Sequence, residues 1–358
     1  MSLSIGIVGL PNVGKSTLFN ALTNNDILAA NYPFATIEPN TGIVAVPDPR
    51  LQVLADLYKS HKVIPATVTF VDIAGLVAGA SKGEGLGNKF LANIRQCDAI
   101  VHIVRAFDND DIVHVEERID PKADIEIINT ELILADIQTI ETRLPKIIKE
   151  SKAIPASRAV AEYLQSSLDQ LNAGTPLSAL ADLKQEYIGD LHLLTAKPVI
   201  YVFNVDENTL VDEAKKAELS ALVSPARTIF VCAQLEDEIK GLTEADATEL
   251  LESYGVKETG LGQMIHATYD ILGLQSYLTA GSDEVRAWTI KKGATAPQAA
   301  GVIHGDFERG FIAAAIVDYD DLIAAGSEVA AKSAGKMRTE GKEYIMRPGD
   351  IVEFRFNV

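Results

Sequence analysis

The sequence is poor in the residues that form disulfide frameworks and metal clusters. Only two cysteines, Cys97 and Cys232, occur among 358 residues. Two cysteines can build neither a disulfide framework nor, by themselves, a metal site. We therefore expect both side chains to be reduced thiols in a cytoplasmic protein.

Long apolar runs and a surplus of basic residues are also missing. No apolar stretch approaches the length of a membrane span, so we expect no membrane partner. Residues 1–8 lack the basic segment of a signal peptide, and we interpret them as the first strand. Lys and Arg total 32 against 50 Asp and Glu, a net charge of −18. Nucleic-acid phosphates need basic partners, so this balance excludes nonspecific binding over the whole surface but leaves a local basic patch open.

A phosphate-binding loop is the strongest positive signal. Gly9 to Thr17 reads G-x-x-x-x-G-K-[ST], after a short apolar run and before a helical pattern. In this context the backbone N–H groups of a loop surround phosphates, and a lysine (Lys15) reaches the β- and γ-phosphates. The Ser16 hydroxyl is the candidate Mg²⁺ ligand. The predicted nucleotide-binding residues of this loop are Asn12, Val13, Gly14, Lys15, Ser16 and Thr17.

Two later stretches have the pattern of nucleotide-sensing switch regions. Residues 31–40 are polar and contain two prolines, and Thr36 is their candidate Mg²⁺ ligand. A β-rich run then ends at Asp72 in the pattern D-x-x-G, so that Asp72 can hold the Mg²⁺ shell and Gly75 can contact the γ-phosphate. The next residue is Leu76, where Ras-like proteins carry the glutamine that orients the attacking water. Leucine cannot orient water, so another group must do so.

Residues 115–195 predict a helical, coiled-coil-like insertion. Apolar residues recur mostly three or four positions apart from Ile125 to Ile147, Pro155 interrupts the pattern, and a second helical run follows. Leu177 to Leu191 predicts a third helix. Such a seam more often forms a self-packed hairpin than a partner-binding surface.

The sequence 204–207 ends a predicted strand where a guanine-specific protein would carry N-K-x-D. That aspartate accepts hydrogen bonds from guanine N1–H and the exocyclic amine, whereas adenine presents an acceptor at N1. Here the positions read Asn204, Val205 and Glu207, so the lysine is absent and the carboxylate is one methylene longer. We expect ATP to be preferred over GTP. A last strand ends at Cys232 and Ala233, where this fold places a backbone turn under the base.

The composition changes near Gln275. Strand-like runs such as Val285–Thr289, Glu343–Met346 and Ile351–Phe356 alternate with Gly and Pro turns and predict a small α+β domain. Basic residues gather near one glycine of this domain, an arrangement that suits either an RNA or ribosome contact or a solvated loop. They are Lys332, Lys336, Arg338, Lys342 and Arg347.

With these motifs, the chain resembles the Obg-like ATPase (YchF) family of the Obg group. The resemblance spans essentially the whole chain and rests on GLPNVGKST, YPFATIEPN, DIAGLV, NVDE and a C-terminal GKEYIMRPGDIVEFRFNV. It implies an α/β P-loop NTPase fold with a mostly parallel Ras-like sheet, over residues 1–275, interrupted by the 115–195 insertion. It also implies a β-grasp TGS domain over 276–358, an ATP-preferring Mg²⁺-dependent NTPase activity and association with ribosomes, in a monomer.

The resemblance bears on two further residues. Asn12 stands where related NTPases without the glutamine use an asparagine to ligate K⁺, although an asparagine there can also simply cap the loop. His114 is the candidate water-positioning residue, against the plain alternative of a solvated histidine. Two other functions stay open: a GTPase of the same fold, and a regulatory binding protein that nucleotide stabilises with negligible turnover.

Overall fold

The computed structural model describes residues 3–23, 40–73, 86–108, 119–180, 182–239 and 241–357. Within these ranges the chain divides into two compact units. The first contains residues 3–23, 40–42 and 69–264, and the second contains 43–68 and 265–357. The second unit therefore contains an early segment, 43–68, in addition to the C-terminal region.

A largely parallel sheet is the frame of the first unit. Among the described residues six strands form it, in the order β2-β4-β1-β5-β6-β7. They are β1 (Ser4–Val8), β2 (Thr41–Ala45), β4 (Thr67–Asp72), β5 (Ala99–Ala106), β6 (Val199–Val205) and β7 (Arg227–Val231). The five strands from β4 to β7 in this order pair in parallel. β5 and β6 are almost entirely buried, which explains their continuous apolar sequences.

Helices connect these strands, and the loops that follow the strands lie at the carboxyl edge of the sheet. Those outside the insertion are α1 (Lys15–Thr23), α3 (Leu86–Gln96), α7 (Glu207–Val211), α8 (Glu213–Ala221), α9 (Ala233–Ile239), α10 (Glu244–Ser253) and α11 (Gly260–Ile271). The carboxyl ends of parallel strands are the usual ligand-binding edge of such a sheet. The P-loop NTPase fold predicted from the sequence is present.

The insertion consists of two long helices and a series of short turns. α4 (Pro121–Ser151) begins with Asp120, whose side chain accepts a hydrogen bond from the Ala123 N–H at 3.1 Å, and α5 (Ala156–Asn172) packs against it. The predicted third helix is wrong: 3₁₀ turns at Leu177–Ala179 and Gly189–Leu191 flank a single helical turn, α6 (Gln185–Ile188). The apolar residues of this segment pack against the α4–α5 pair. Short turns can bring them into that position as well as a helix can, so their spacing did not distinguish the two.

A buried carboxylate joins α4 to the segment that leads back into the sheet. Asp136 has no solvent exposure. Its oxygens accept hydrogen bonds from the Leu194 N–H at 2.8 Å and from the N–H and hydroxyl of Thr195 at 2.7 Å each. The middle of α4 is thereby tied to the residues just before β6.

The second unit contains a mixed sheet in the order β11-β10-β12-β8-β9-β3. Its strands are β3 (Val63–Ile64), β8 (Leu274–Ala280), β9 (Val285–Lys291), β10 (Phe311–Asp318), β11 (Arg338–Glu340) and β12 (Asp350–Phe356). Its helices are α2 (Arg50–Tyr58), α12 (Ala296–Ile303), α13 (Gly305–Arg309), α14 (Tyr319–Ala325) and α15 (Glu328–Ser333). β3 joins this sheet because Val63 and Ile64 pair in parallel with β9.

The predicted strand at Glu343–Met346 is not formed. The segment makes only an isolated bridge, between Thr295 and Ile345. The Tyr344 hydroxyl lies within 3.0 Å and 3.1 Å of the two Asp350 carboxylate oxygens, and Pro348 follows closely. A side chain committed to a turn and a nearby proline stop the strand from extending.

Candidate functional site

The loop between β1 and α1 is shaped by close backbone approaches. Gly14 has φ of 97°, and a Cβ there would lie 2.4 Å from Nδ2 of Asn204. A Cβ at Gly9 would lie 2.5 Å from the Ile103 carbonyl oxygen. Asn12 adopts φ of 63°, a left-handed conformation that asparagine tolerates better than most residues. The two motif glycines are thus required by contacts with β5 and β6.

Lys15 points into the curve of this loop. The side chain is 7% exposed, and its Nζ donates a hydrogen bond to the Leu10 carbonyl at 2.6 Å. Burial lowers the pKa of Lys15 to about 8, and the negative charge of Asp72 partly opposes this shift. The loop therefore holds an ammonium group that an anionic ligand would stabilise in its charged form.

Ser16 and Asp72 supply oxygen atoms near that ammonium group. Ser16 is exposed on the first turn of α1 and lines the cavity described below. Asp72 ends β4 in register with Ile7 of β1, and burial raises the pKa of its carboxyl group while Lys15 lowers it. A hydroxyl and a carboxylate are hard donors of the kind Mg²⁺ prefers. The residues therefore fit the Mg²⁺ ion that a P-loop NTPase fold implies.

A cavity of about 640 Å³ extends from the loop across the carboxyl ends of three strands. The loop side is formed by Asn12, Gly14, Lys15, Ser16 and Thr17, and the far side by Phe107, Asp108, residues 204–208, Cys232, Ala233 and Gln234. Phosphate-binding and base-binding candidates predicted from separate motifs thus line one cavity. Its size and shape suit a nucleotide.

Asn204 links the two halves of this cavity. Its Nδ2 donates to the Val13 carbonyl at 3.1 Å, and its Oδ1 accepts from the Ala233 N–H at 3.4 Å. The side chain is 2% exposed. Asn204 therefore holds the phosphate loop against the turn after β7, which positions Val13 and Ala233 as well as lining the cavity itself.

The three residues after Asn204 have different tasks. Val205 is buried at 2% exposure, in the place of the lysine of a guanine-reading motif. Asp206 caps α7, because its Oδ1 accepts the Thr209 N–H at 2.7 Å. Glu207, half-buried, lines the cavity, and its Oε2 accepts a hydrogen bond from the Tyr254 hydroxyl at 2.9 Å. Asp206 and Glu207 both line the cavity, but the Asp206 carboxylate is engaged in the helix cap.

Comparison with known proteins agrees with this geometry. The family model described as 50S ribosome-binding GTPase matches residues 4–167, and the YchF GTPase C-terminal model matches residues 274–357. The "Ribosome-binding ATPase YchF" of Bacillus subtilis (strain 168) is 51% identical over 367 residues, covering 100% of both chains. The protein of the same name from Escherichia coli O157:H7 is 50% identical over 369 residues, again covering 100% of both.

This chain belongs to the YchF family. The solved structure of the Schizosaccharomyces pombe YchF GTPase is also similar, with a TM-score of 0.87 and 41% identity over 99% of this chain and 98% of that one. The family predicted from the motifs is confirmed, whereas its placement in the Obg group and the TGS name for the C-terminal domain stay predictions.

In this YchF-family chain, Cys232 lines the cavity on the side away from the phosphate loop. The thiol is buried, and burial is the main reason that its pKa is raised, with the charges of Glu207 and Asp206 adding to the effect. It is therefore a protonated thiol at neutral pH. The other cysteine, Cys97, is also a buried free thiol whose pKa is raised by burial.

Sequence reasoning missed several residues that line the YchF-family cavity or support its wall. Phe107 and Asp108 follow β5 and line the cavity. The buried Arg105 holds Phe107 in place, because its Nε donates to the Phe107 carbonyl at 3.2 Å and its guanidinium lies 4.7 Å from the centroid of the Phe107 ring. Gln234 lines the cavity, and Tyr254 contacts Glu207. The position of Phe107 and Gln234 just after parallel strands was an available signal.

Three predicted site residues, Thr36, Gly75 and His114, lie outside the described residues. Within the described ranges no group of three or more His, Cys, Asp or Glu side chains is arranged to hold a metal. The candidate Mg²⁺ ligands here are accordingly a hydroxyl and a single carboxylate. None of the described helices is both long and apolar enough to cross a membrane.

Proposed function

We propose that this protein is a Mg²⁺-dependent ATPase that prefers ATP over GTP and acts as a switch on the ribosome. The observation that carries the proposal is the base-reading strand end, where a buried Val205 and a longer carboxylate at Glu207 replace the guanine-binding motif. The two relatives from Bacillus subtilis and Escherichia coli, both called ribosome-binding ATPase, support it.

The phosphate loop, Asp72 and Asn204 have separate roles in nucleotide binding and hydrolysis. The N–H groups of residues 12–17 and the Lys15 ammonium bind the phosphates, and Ser16 and Asp72 would hold Mg²⁺. That ion, when bound, offsets the negative charge that develops on the phosphate oxygens. Asn204 keeps the loop in place during the reaction, because its amide joins the Val13 carbonyl to the Ala233 N–H.

Three further roles come from the sequence. Asn12, which lines the cavity, ligates K⁺ beside the phosphates. Thr36 and Gly75 respond to the γ-phosphate, and His114 orients the attacking water in place of the glutamine that Leu76 replaces. Hydrolysis then releases the two switch regions.

Ribosome association would use basic side chains of the C-terminal unit. Of the cluster predicted there, Lys332, Lys336, Lys342 and Arg347 are exposed. Lys336 pairs with Asp321 at 3.0 Å, and Arg338 lies 3.6 Å from the buried Asp350. Lys332, Lys342 and Arg347 are therefore the candidates for contact with ribosomal RNA, because Lys336 is engaged in an ion pair and Arg338 serves the fold of the unit.

A GTPase of the same fold is the second candidate. The matching N-terminal family model and the Schizosaccharomyces pombe structure are both described as GTPases. The two candidates differ in the base that Glu207 accepts, so nucleotide preference separates them.

Competition binding tests the choice. ATP and GTP would displace a fluorescent nucleotide from the protein in Mg²⁺, with the hydrolysis rate of each measured in parallel. We expect ATP to bind at least tenfold more tightly, about 1.4 kcal/mol, and Glu207→Ala to reduce the ratio to about threefold or less. Glu218→Ala, which removes an exposed carboxylate on α8, is the control and should keep the wild-type ratio. Tighter binding of GTP by the wild type would replace the first candidate with the second.

A further inference from the structure

Tyr254 holds the carboxylate that faces the base end of the cavity. It follows α10 directly, and its hydroxyl donates to Oε2 of Glu207 at 2.9 Å across 47 positions of the chain. The phenol ring packs with Leu250 against the apolar cluster that contains Val205 and Leu235. In the part of the chain that the structure describes, Oε1 of Glu207 accepts no hydrogen bond. One oxygen is thus anchored and the other is available to a ligand.

We propose that Tyr254 is a specificity-determining positioning residue, which disfavours guanine by fixing the orientation of the Glu207 carboxylate. This inference rests on the proposed preference for ATP and supplies a physical origin for it. Tyr254 acts through Glu207, and its own contact is with the carboxylate.

The orientation of the carboxylate decides how many hydrogen bonds a base can make with it. Guanine presents N1–H and the exocyclic amine side by side, so the matching carboxylate must lie in the plane of the base and direct both oxygens at it. Each carboxylate oxygen can accept more than one hydrogen bond, so Tyr254 does not simply fill Oε2. It ties that oxygen to a separate helix, and rotating the carboxylate into the plane of a guanine would break this tie.

Adenine makes a smaller demand on the same carboxylate. Its exocyclic amine can donate a single hydrogen bond, for which the available Oε1 is sufficient. A guanine in the same place leaves one buried donor without a partner, and an unmade hydrogen bond is costly in a cavity. Glutamate is also one methylene longer than aspartate and has one more rotatable bond, so without an anchor its carboxylate could turn to meet either base.

Diphosphates of three bases test the inference without interference from hydrolysis. ADP, GDP and IDP would displace a fluorescent diphosphate in Mg²⁺ from the wild type, from Tyr254→Phe and from Tyr58→Phe. IDP has the N1–H of guanine and lacks the exocyclic amine, so only GDP needs both carboxylate oxygens. Tyr58→Phe is the matched control, since Tyr58 also donates to a glutamate oxygen, Oε2 of Glu328 at 3.5 Å, within the second unit.

We expect Tyr254→Phe to tighten GDP about tenfold relative to ADP and several-fold relative to IDP. Tyr58→Phe should leave all three ratios unchanged. In a Glu207→Asp background the shorter side chain no longer reaches Tyr254, so adding Tyr254→Phe should have little further effect. If Tyr254→Phe alone fails to fold, Glu207→Asp is the second variant, because it removes the same hydrogen bond and should also tighten GDP relative to IDP.

Two results for Tyr254→Phe would overturn the inference. Equal weakening of the binding of all three diphosphates would denote a structural role. A preference for GDP over IDP that is unchanged or lower than in the wild type would show that Tyr254 does not disfavour guanine. The wild-type order of ADP and GDP tests the proposed function separately. If the wild type prefers GDP, the ATP assignment is refuted. If the wild type prefers ADP and Tyr254→Phe leaves the affinity ratios of the three diphosphates unchanged, only the role of Tyr254 is refuted.

Discussion

Lys15 shows at the level of one residue how the fold prepares a charge for its ligand. The ammonium group is enclosed by the loop with the Leu10 carbonyl as a hydrogen-bond acceptor, and burial brings its pKa down to about 8. Phosphates favour the protonated form, so nucleotide binding should raise that pKa again.

The consequence is a defined dependence of binding on pH. Because the pKa of Lys15 in the free protein is about 8, affinity should be constant below pH 7 and fall as pH rises through 8. Binding at pH 8.5 should take up a fraction of a proton, measured by titration calorimetry in two buffers of different ionisation enthalpy. Lys15→Met, which has no titrating group, should bind at least a hundredfold more weakly and take up no proton. Equal heats in the two buffers for the wild type would contradict the prediction.

Asn12 and His114 carry the proposed catalytic roles at this scale. If Asn12 ligates K⁺, hydrolysis should be at least fivefold faster in KCl than in NaCl, and Asn12→Ala should remove the difference. If His114 orients water, His114→Ala should bind ATP normally and hydrolyse it at least tenfold more slowly. Both are read from steady-state phosphate release alongside binding. Equal rates in the two salts would end the K⁺ role, and an unchanged rate in His114→Ala would end the histidine role.

Among the structural elements, the first long helix of the insertion is attached to the sheet in part through a buried carboxylate, that of Asp136. Asp136 receives three hydrogen bonds from Leu194 and Thr195, and Arg95 of α3 donates to the hydroxyl of Thr139 one turn further along α4 at 2.8 Å. α4 is therefore fastened both to the entry into β6 and to the helix that precedes β5.

Replacing Asp136 should loosen this attachment. Asp136→Ala leaves two buried N–H groups without an acceptor, so we expect a loss of about 2–4 kcal/mol in the free energy of unfolding. Urea denaturation followed by circular dichroism measures the loss. Asp169→Ala is the control, because Asp169 is an exposed carboxylate on α5 that contacts only Gln165 in the described part of the chain. It should change stability by less than about 0.5 kcal/mol. Equal effects of the two substitutions would disprove the role of Asp136.

On the scale of the whole molecule, a net charge of −18 limits how the protein can approach RNA. Most of its surface would be repelled by phosphates, so any ribosome contact must be local and oriented. Lys332 and Lys342, exposed in the second unit, are two of the side chains through which such a contact would act.

Charge reversal should expose that contact. Lys332→Glu with Lys342→Glu should weaken co-sedimentation with ribosomes at least fivefold at about 100 mM salt and reduce the slope of log affinity against log salt by about 1–2. The matched control reverses Lys215 and Lys257, two exposed lysines of the first unit. If both pairs weaken binding equally, the effect is one of total charge and the local contact is refuted.

Local chemistry determined much of this protein from the sequence alone. The phosphate loop needs its glycines and lysine in one short stretch, the apolar runs of β5 and β6 predict buried parallel strands, and the spacing in α4 and α5 predicts a helical pair. In each case the signal lies within a few turns of chain, so it survives without knowledge of the fold.

The tertiary structure decided the contacts that join distant segments. The pairing of β3 with β9 places Val63 and Ile64 in the second sheet, although in the chain they lie between β2 and β4 of the first sheet. Asn204 reaches Val13 across 191 positions, and Tyr254 reaches Glu207 across 47. No periodicity or motif encodes such partners, because they are selected by which surfaces pack together once the sheets have formed. Glu207 could therefore be identified as a candidate from the sequence, whereas the Tyr254 hydroxyl that orients its carboxylate could not.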